Sequence, residues 1–242
     1  MEHSIIDPLT DTLGRCLLEV GAMRICDVGA GEAPFPYTSG NVGPLFVNVK
    51  GLVSHTLLRD SLVSRLAVIM CNASIDVDFV AANVAGGVPF GLLLHQELSR
   101  RLGRDIPFIY IRPETQKHGL RERVVGVNVS IPALQPGKKG IVIEELVNFA
   151  STTINSVRLL RSMGYEVESA GCLLDYAHPA SQAALAEAEI KTLFKLFTIE
   201  QLITLAEEQD RFSPDAIRDA REYLKDADAW MKKYGFVKTH SK

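Results

Sequence analysis

Apolar residues recur at helical spacing near the start of the chain, where Leu9, Leu13, Leu17 and Leu18 predict a helix over Ile5 to Val20. Residues 21–44 break that pattern with five glycines and three prolines, which is ground for turns. Helical spacing returns over Val53 to Cys71, with Leu58, Leu62, Leu66 and Ile69 on one side. The middle of the chain then alternates. Val77 to Val84 is a short apolar run suited to a buried strand. After Gly86-Gly87, the segment Pro89 to Leu102 reads as a helix carrying Leu92, Leu93, His95, Leu98 and Leu102. Pro107 to Arg112 predicts a second strand, and Gly140 to Ile143 a third that ends at Glu144-Glu145. Ser151 to Met163 reads as a helix and Glu166 to Leu174 as a further strand. Strands alternating with helices of roughly 12–15 residues imply βαβ units and a parallel sheet covered on both faces.

From Thr198 the tail is helical. Thr198-Ile-Glu-Gln201 has Gln at the capping-box position, and Ser213-Pro-Asp-Ala places proline at a first helical position. No linker interrupts this order. The sequence therefore predicts a single α/β domain over 1–242, with an N-terminal region over 1–72, a core sheet over 73–197 and a helical tail over 198–242.

Composition narrows the function classes. With 47% hydrophobic and 23% charged residues, the chain is globular rather than disordered or collagen-like, and it carries no dedicated nucleic-acid-binding tail. Its 26 basic residues against 29 acidic ones give a net charge of −3, so no global field attracts polyanions. Any anion site must be a local basic cluster. Cys16, Cys26, Cys71 and Cys172 lie far apart with no C-x-x-C pair, which predicts reduced thiols rather than structural zinc. Met1-Glu2-His3-Ser4 lacks the basic and apolar regions of a secretory signal, and no apolar stretch reaches the roughly 20 residues of a membrane span. The expectation is a soluble cytoplasmic protein with neither membrane nor nucleic-acid partners.

Four stretches could carry chemistry. Asp27-Val-Gly-Ala-Gly31 looks like the D-x-G-x-G opening of a methyltransferase nucleotide loop, but Ala33-Pro-Phe-Pro36 opposes the helix such a loop needs. It reads as a glycine-rich turn. Glu144 and Glu145 lie at the carboxyl end of a predicted parallel strand, where open α/β sheets bind ligands. Asn148, Ser151, Thr152 and Thr153 follow, either as donors to a phosphate at a helix N-terminus or as plain helix caps. Arg100 to Arg123 holds seven Lys/Arg against three acids, an excess of four positive charges that suits a polyphosphate or a solvated loop. Gly86-Gly87 permits either close backbone approach to a ligand or an ordinary tight turn.

The last three of these stretches, in their order and spacing, resemble the type I phosphoribosyltransferases, and among them the orotate phosphoribosyltransferases. Phe35-Pro-Tyr-Thr38-Ser39-Gly40-Asn-Val-Gly-Pro44-Leu-Phe-Val-Asn48 is similar to the family's F-x-L-x-S-G-x-x-S-P-x-[YF]-x-[DN] segment. Ala82-Asn-Val-Ala-Gly86-Gly87-Val-Pro89 is similar to its G-x-x-x-G-G-[IV]-P turn, and Arg112 through Lys117-His118-Gly119 to its R-K-x-x-K-x-H-G loop. Gly140 to Thr153 stands where the family has its phosphoribosyl pyrophosphate (PRPP) loop, [ED]-D-[VL]-[VI]-[ST]-T-G-[GT]-[ST]. The resemblance implies a parallel sheet flanked by helices with a small N-terminal hood. It also implies transfer of ribose 5-phosphate from PRPP, with Mg²⁺, to a nitrogen base, orotate first. Glu144, Glu145, Lys117 and His118 would be catalytic. Arg112, Gly86, Gly87, Asn148, Phe149, Ala150, Ser151, Thr152 and Thr153 would bind PRPP, and Thr38, Ser39, Gly40, Lys50 and Tyr176 would lie near the base. Mg²⁺ would arrive on PRPP rather than through direct ligands. The basic loop would reach a neighbouring subunit, which implies a homodimer.

The chain departs from the family at several of these positions. Glu145 stands for Asp, Asn148-Phe149 for the Ser/Thr-Thr pair, Pro113 for the Lys of the R-K pair and Gln116 for the second Lys, with Lys117 one place away. The base-side Arg of D-R-x-E is missing from Asp175-Tyr176-Ala-His178, which takes a partner from orotate's carboxylate. Ala150 replaces the loop glycine, and a left-handed alanine costs roughly 1 kcal/mol or more, so another loop shape is expected there. These departures leave a second expectation, a protein of this fold that binds PRPP or a nucleotide as a regulator without catalysis.

Overall fold

The computed structural model describes residues 7–37, 41–114, 122–127 and 134–237. The first helix, α1 (Pro8–Glu19), begins where Asp7 accepts hydrogen bonds from the N–H groups of Leu9 and Thr10, and Pro8 fills a position that needs no donor. Four short strands follow: β1 (Met23–Ile25), β2 (Phe35–Pro36), β3 (Val42–Gly43) and β4 (Leu45–Val47). β1 pairs with β4 and β2 with β3, both antiparallel. The glycine- and proline-rich stretch thus contains strands too short for a periodic pattern to reveal.

The central segment builds the sheet. α2 (Thr56–Asn72) leads to β5 (Phe79–Asn83), α3 (Gly87–Leu102), β6 (Phe108–Ile111), β7 (Val124–Val125) and β8 (Lys139–Val147). α4 (Ser151–Ser162), β9 (Glu166–Asp175), α5 (Pro179–Glu187) and β10 (Thr192–Thr198) complete it. The strand order is β10-β9-β8-β5-β6-β7, with every neighbour parallel except the edge strand β7. α3 covers the face that carries Ile143, and α4 the face that carries Val142. Burial on both faces is why β5 and the centre of β8 read as unbroken apolar runs. The chain runs from β5 out to β6 and then returns to place β8 on the other side of β5. That reversal marks a topological switch point, beyond whose carboxyl ends ligands bind.

Other elements escape the sequence reading as well. α5 and β10 lie where no element was expected, and β8 runs on to Val147 instead of ending at Glu144-Glu145, because its parallel pairing with β9 continues as far as Val147 opposite Asp175.

The chain closes with α6 (Ile199–Glu208), α7 (Pro214–Lys225) and α8 (Ala227–Lys233). It divides into two compact units, one of residues 1–51 with 199–242 and the other of 52–198. The divisions thus fall at 51/52 and 198/199, beside region limits expected at 72/73 and 197/198. α2 belongs with the sheet, burying Leu62, Leu66 and Met70 and packing on α3 and β10. The tail shares a unit with the N-terminal region rather than standing as a separate addition. α1 packs on α6, Arg15 pairs with Glu208 at 2.6 Å, and Arg211 pairs with Glu19 at 2.8 Å. In this unit the Asp27–Gly31 stretch is a turn, as Pro34 and Pro36 just after it predict: Asp27 accepts from the Ala30 N–H at 3.0 Å and from the Ser213 hydroxyl at 2.6 Å. All four cysteines are free thiols. Among the described residues no helix is long and apolar enough to cross a membrane.

Candidate active site

Four adjacent parallel strands, β6, β5, β8 and β9, deliver candidate residues to one edge of the sheet. Arg112 follows β6, Gly86-Gly87 follow β5, Asn148 to Thr153 follow β8, and Tyr176 follows β9. Glu144 and Glu145 lie just before the end of β8, as consecutive strand residues whose side chains leave opposite faces.

Their contacts follow that divergence. Both are buried. Glu144 accepts a hydrogen bond from the Asn83 amide at 2.6 Å, and the Ser156 hydroxyl donates to the Asn83 carbonyl oxygen at 2.6 Å. A relay thus joins the last residue of β5, the acid on β8 and the second turn of α4. Neither Asn83 nor Ser156 was singled out in the sequence. A polar residue closing the apolar run Phe79-Val-Ala-Ala-Asn83 was the available signal. Glu145 goes the other way, and its carboxylate lies against the Cα of Gly86, so a Cβ at that position would collide with it. Gly87 is equally constrained, because a Cβ there would stand 2.5 Å from the Ile143 carbonyl oxygen. The glycine pair is thus required by close packing at the start of α3. The peptide bond between Val84 and Ala85 is cis.

The start of α4 is different. Ala150 occupies the N-cap position with φ 61° and ψ 2°, and no side chain caps the helix. The left-handed shape expected to be lost with the glycine is therefore kept. Burying the Ala150 methyl group in the core with Ile154 and Val157 offsets its conformational cost. Ser151 and Thr152 are exposed and Thr153 is buried, yet none acts as the cap. Their N–H groups carry no hydrogen-bond partner among the described residues. Three free donors at the positive end of a 12-residue helix make a cradle for a phosphate.

Beside this cradle three aromatic rings stack. Phe149 lies 4.9 Å from His178 with planes 6° apart, and Tyr176 lies 6.0 Å from His178. Burial pushes the His178 imidazole below the usual 6.5, with Asp175 opposing more weakly, so the ring is neutral near neutral pH. Asp175 itself is fully buried and accepts from Lys195 at 2.8 Å and from the Ala177 N–H at 2.8 Å. Arg112 donates to the Tyr110 hydroxyl at 3.2 Å and lies over that ring, which ties it to β6.

Several expected site residues cannot be placed with these. Thr38, Ser39, Gly40, Lys117 and His118 lie outside the described residues. Lys50 is exposed at the start of a short 3-10 turn, Lys50–Ser54. Among the described residues no cluster of three or more His, Cys, Asp or Glu could hold a metal ion.

No protein-family model matches the chain. Orotate phosphoribosyltransferase from Streptococcus sanguinis is 25% identical over 227 residues, covering 92% of this chain and 99% of that one. The structure of Leishmania donovani UMP synthase superposes with a TM-score of 0.67 at 19% identity, covering 89% of this chain. The chain spans only 42% of that protein. Mycobacterium tuberculosis orotate phosphoribosyltransferase, solved with 5-phospho-α-D-ribosyl 1-diphosphate, superposes with a TM-score of 0.55 at 15% identity, covering 84% of this chain and 99% of that one.

Proposed function

From the premise that this chain is a homologue of the orotate phosphoribosyltransferases with the type I phosphoribosyltransferase fold, we propose that it transfers ribose 5-phosphate from PRPP to a nitrogen base, orotate first, in pyrimidine nucleotide synthesis. The observation that carries this reading is the free phosphate cradle of α4 beside two buried carboxylates on the same strand end.

In the proposed reaction a ring nitrogen of the base attacks C1 of the ribose as the bond from C1 to the pyrophosphate oxygen breaks. Pyrophosphate leaves with that electron pair. Positive charge develops on the ribose ring, so catalysis rests on placement and electrostatics. Ser151, Thr152 and Thr153 hold the 5′-phosphate through backbone N–H groups, and Glu144 and Glu145 orient the ribose. The Gly86-Gly87 backbone and Arg112 face the pyrophosphate side, with Lys117 and His118 reaching the leaving group from a partner subunit in a homodimer. Glu144 and Glu145 leave opposite faces of β8 and would not share a cation, so Mg²⁺ would arrive on the pyrophosphate, held by its oxygens and water, and would neutralise the departing charge. The cytoplasm is the compartment that suits this substrate.

A pyrophosphate-release assay with Mg·PRPP and a panel of bases tests the reading. Turnover with orotate is expected. Turnover only with another base would remove orotate and keep the transfer. No turnover, together with thermal stabilisation by PRPP, would make the protein a regulator instead.

A further inference from the structure

Phe149 is more than half exposed although it is a large apolar side chain. Its position is fixed on one face only. That face lies on His178 at 4.9 Å, nearly parallel to it, and His178 stacks in turn with Tyr176. An exposed ring held parallel to a second ring offers a flat π surface whose orientation is already set. The surface belongs to the residue immediately before the N-cap of α4, so it borders the phosphate cradle. The preceding residue, Asn148, supplies a second and independent observation. Its side-chain oxygen is buried and has no hydrogen-bond partner among the described residues. A buried amide oxygen without a donor costs free energy that a ligand N–H would recover. Together the two residues ask for a planar ring that carries an N–H group and is joined to a phosphate.

We propose that Phe149, buttressed by His178, is a stacking platform for the base of the phosphoribosylated product, and that Asn148 accepts a hydrogen bond from a ring N–H of that base. The inference rests on the transferase reading for the position of the sugar phosphate. Specificity on this edge then comes from ring planarity and an N–H donor. His178 suits the part, since a neutral imidazole stacks without demanding a counter-charge.

The test is calorimetric binding of UMP, which stands in for the orotate nucleotide with the same N3–H and 5′-phosphate but no ring carboxylate, and of ribose 5-phosphate to the full chain and to Phe149→Ala, Phe149→Trp and Asn148→Ala. Base–aromatic stacking sets the expected scale, about a 10-fold weakening of UMP in Phe149→Ala. Ribose 5-phosphate should bind as before, and Phe149→Trp should restore UMP. Asn148→Ala should remove the preference for UMP over its N3-methylated analogue. Equal losses for UMP and ribose 5-phosphate would make Phe149 a structural loop residue and overturn the proposal, as would unchanged UMP affinity in Phe149→Ala. Failure of the wild type to bind either ligand would overturn it as well. If the wild type shows the expected binding pattern but releases no pyrophosphate from PRPP with any base, the transfer reading fails and the platform stands.

Discussion

At the start of α3 the chain places Gly86 at the N-cap and lays the carboxylate of Glu145 against it, whereas at the start of α4 it places a left-handed Ala150 and no cap at all. Both helices open on the same edge of the sheet, after the neighbouring strands β5 and β8. Each presents the positive end of its dipole there. One end is already met by a negative charge of the chain itself, and the other is left for a ligand. The glycine is indispensable where the helix must admit a carboxylate, and it is dispensable where the core buries the methyl group of a left-handed alanine. The extra methylene that Glu145 carries where the resembled family has aspartate therefore has a definite place to go.

The strongest way to break this contrast is to remove the anion at α3. Glu145→Ala should lower turnover by about 100-fold or more, on the scale of losing one transition-state electrostatic partner. Steady-state kinetics with a parallel thermal melt measures this, and wild-type activity would refute a role for the acid. A pair of exchanges sharpens the contrast next. Gly86→Ala drives a Cβ into the Glu145 carboxylate and should cost about 1–3 kcal/mol in chemical denaturation. Ala150→Gly should change stability by less than about 1 kcal/mol, because relief of the left-handed strain is offset by loss of a buried methyl group and a more flexible unfolded chain. Equal costs at the two positions would erase the distinction drawn here.

The smallest effect lies with His178 beside α4. Its folded pKa sits below 6.5, so the unfolded chain takes up the proton first as pH falls. The stabilising contribution is complete above about 6.5 and is lost as pH drops below that value, levelling off once the folded imidazole is also protonated. His178→Phe keeps a ring for Phe149 and should flatten the melting temperature against pH in that window. An unchanged pH profile would show that the imidazole does not titrate between the two states.

The central strands were legible because burial on both faces writes them as apolar runs, and the helices α3 and α4 because their stripes face those strands. α5 was not, since Pro179-Ala-Ser-Gln-Ala-Ala-Leu-Ala-Glu187 has small residues all round and no stripe. β10 alternates only partly and carries Lys195 in its middle, where the lysine serves the buried Asp175. In the candidate site, the glycine pair and the acids were visible as composition. The relay through Asn83 and Ser156 was not, because it joins residues 61 and 73 positions apart that only the completed sheet brings together. The left-handed Ala150 was misjudged because its compensating burial is a tertiary property.

That relay has a consequence for selectivity. Glu144 cannot turn without drawing on Asn83, and Asn83 cannot shift without drawing on α4, whose first turn holds the phosphate cradle. The acid and the cradle are thus parts of one rigid gauge, set at a fixed span before any ligand arrives. On the proposed function a sugar phosphate would be measured against that span rather than moulding it, so chain length between hydroxyl and phosphate would become a property the folded protein can read.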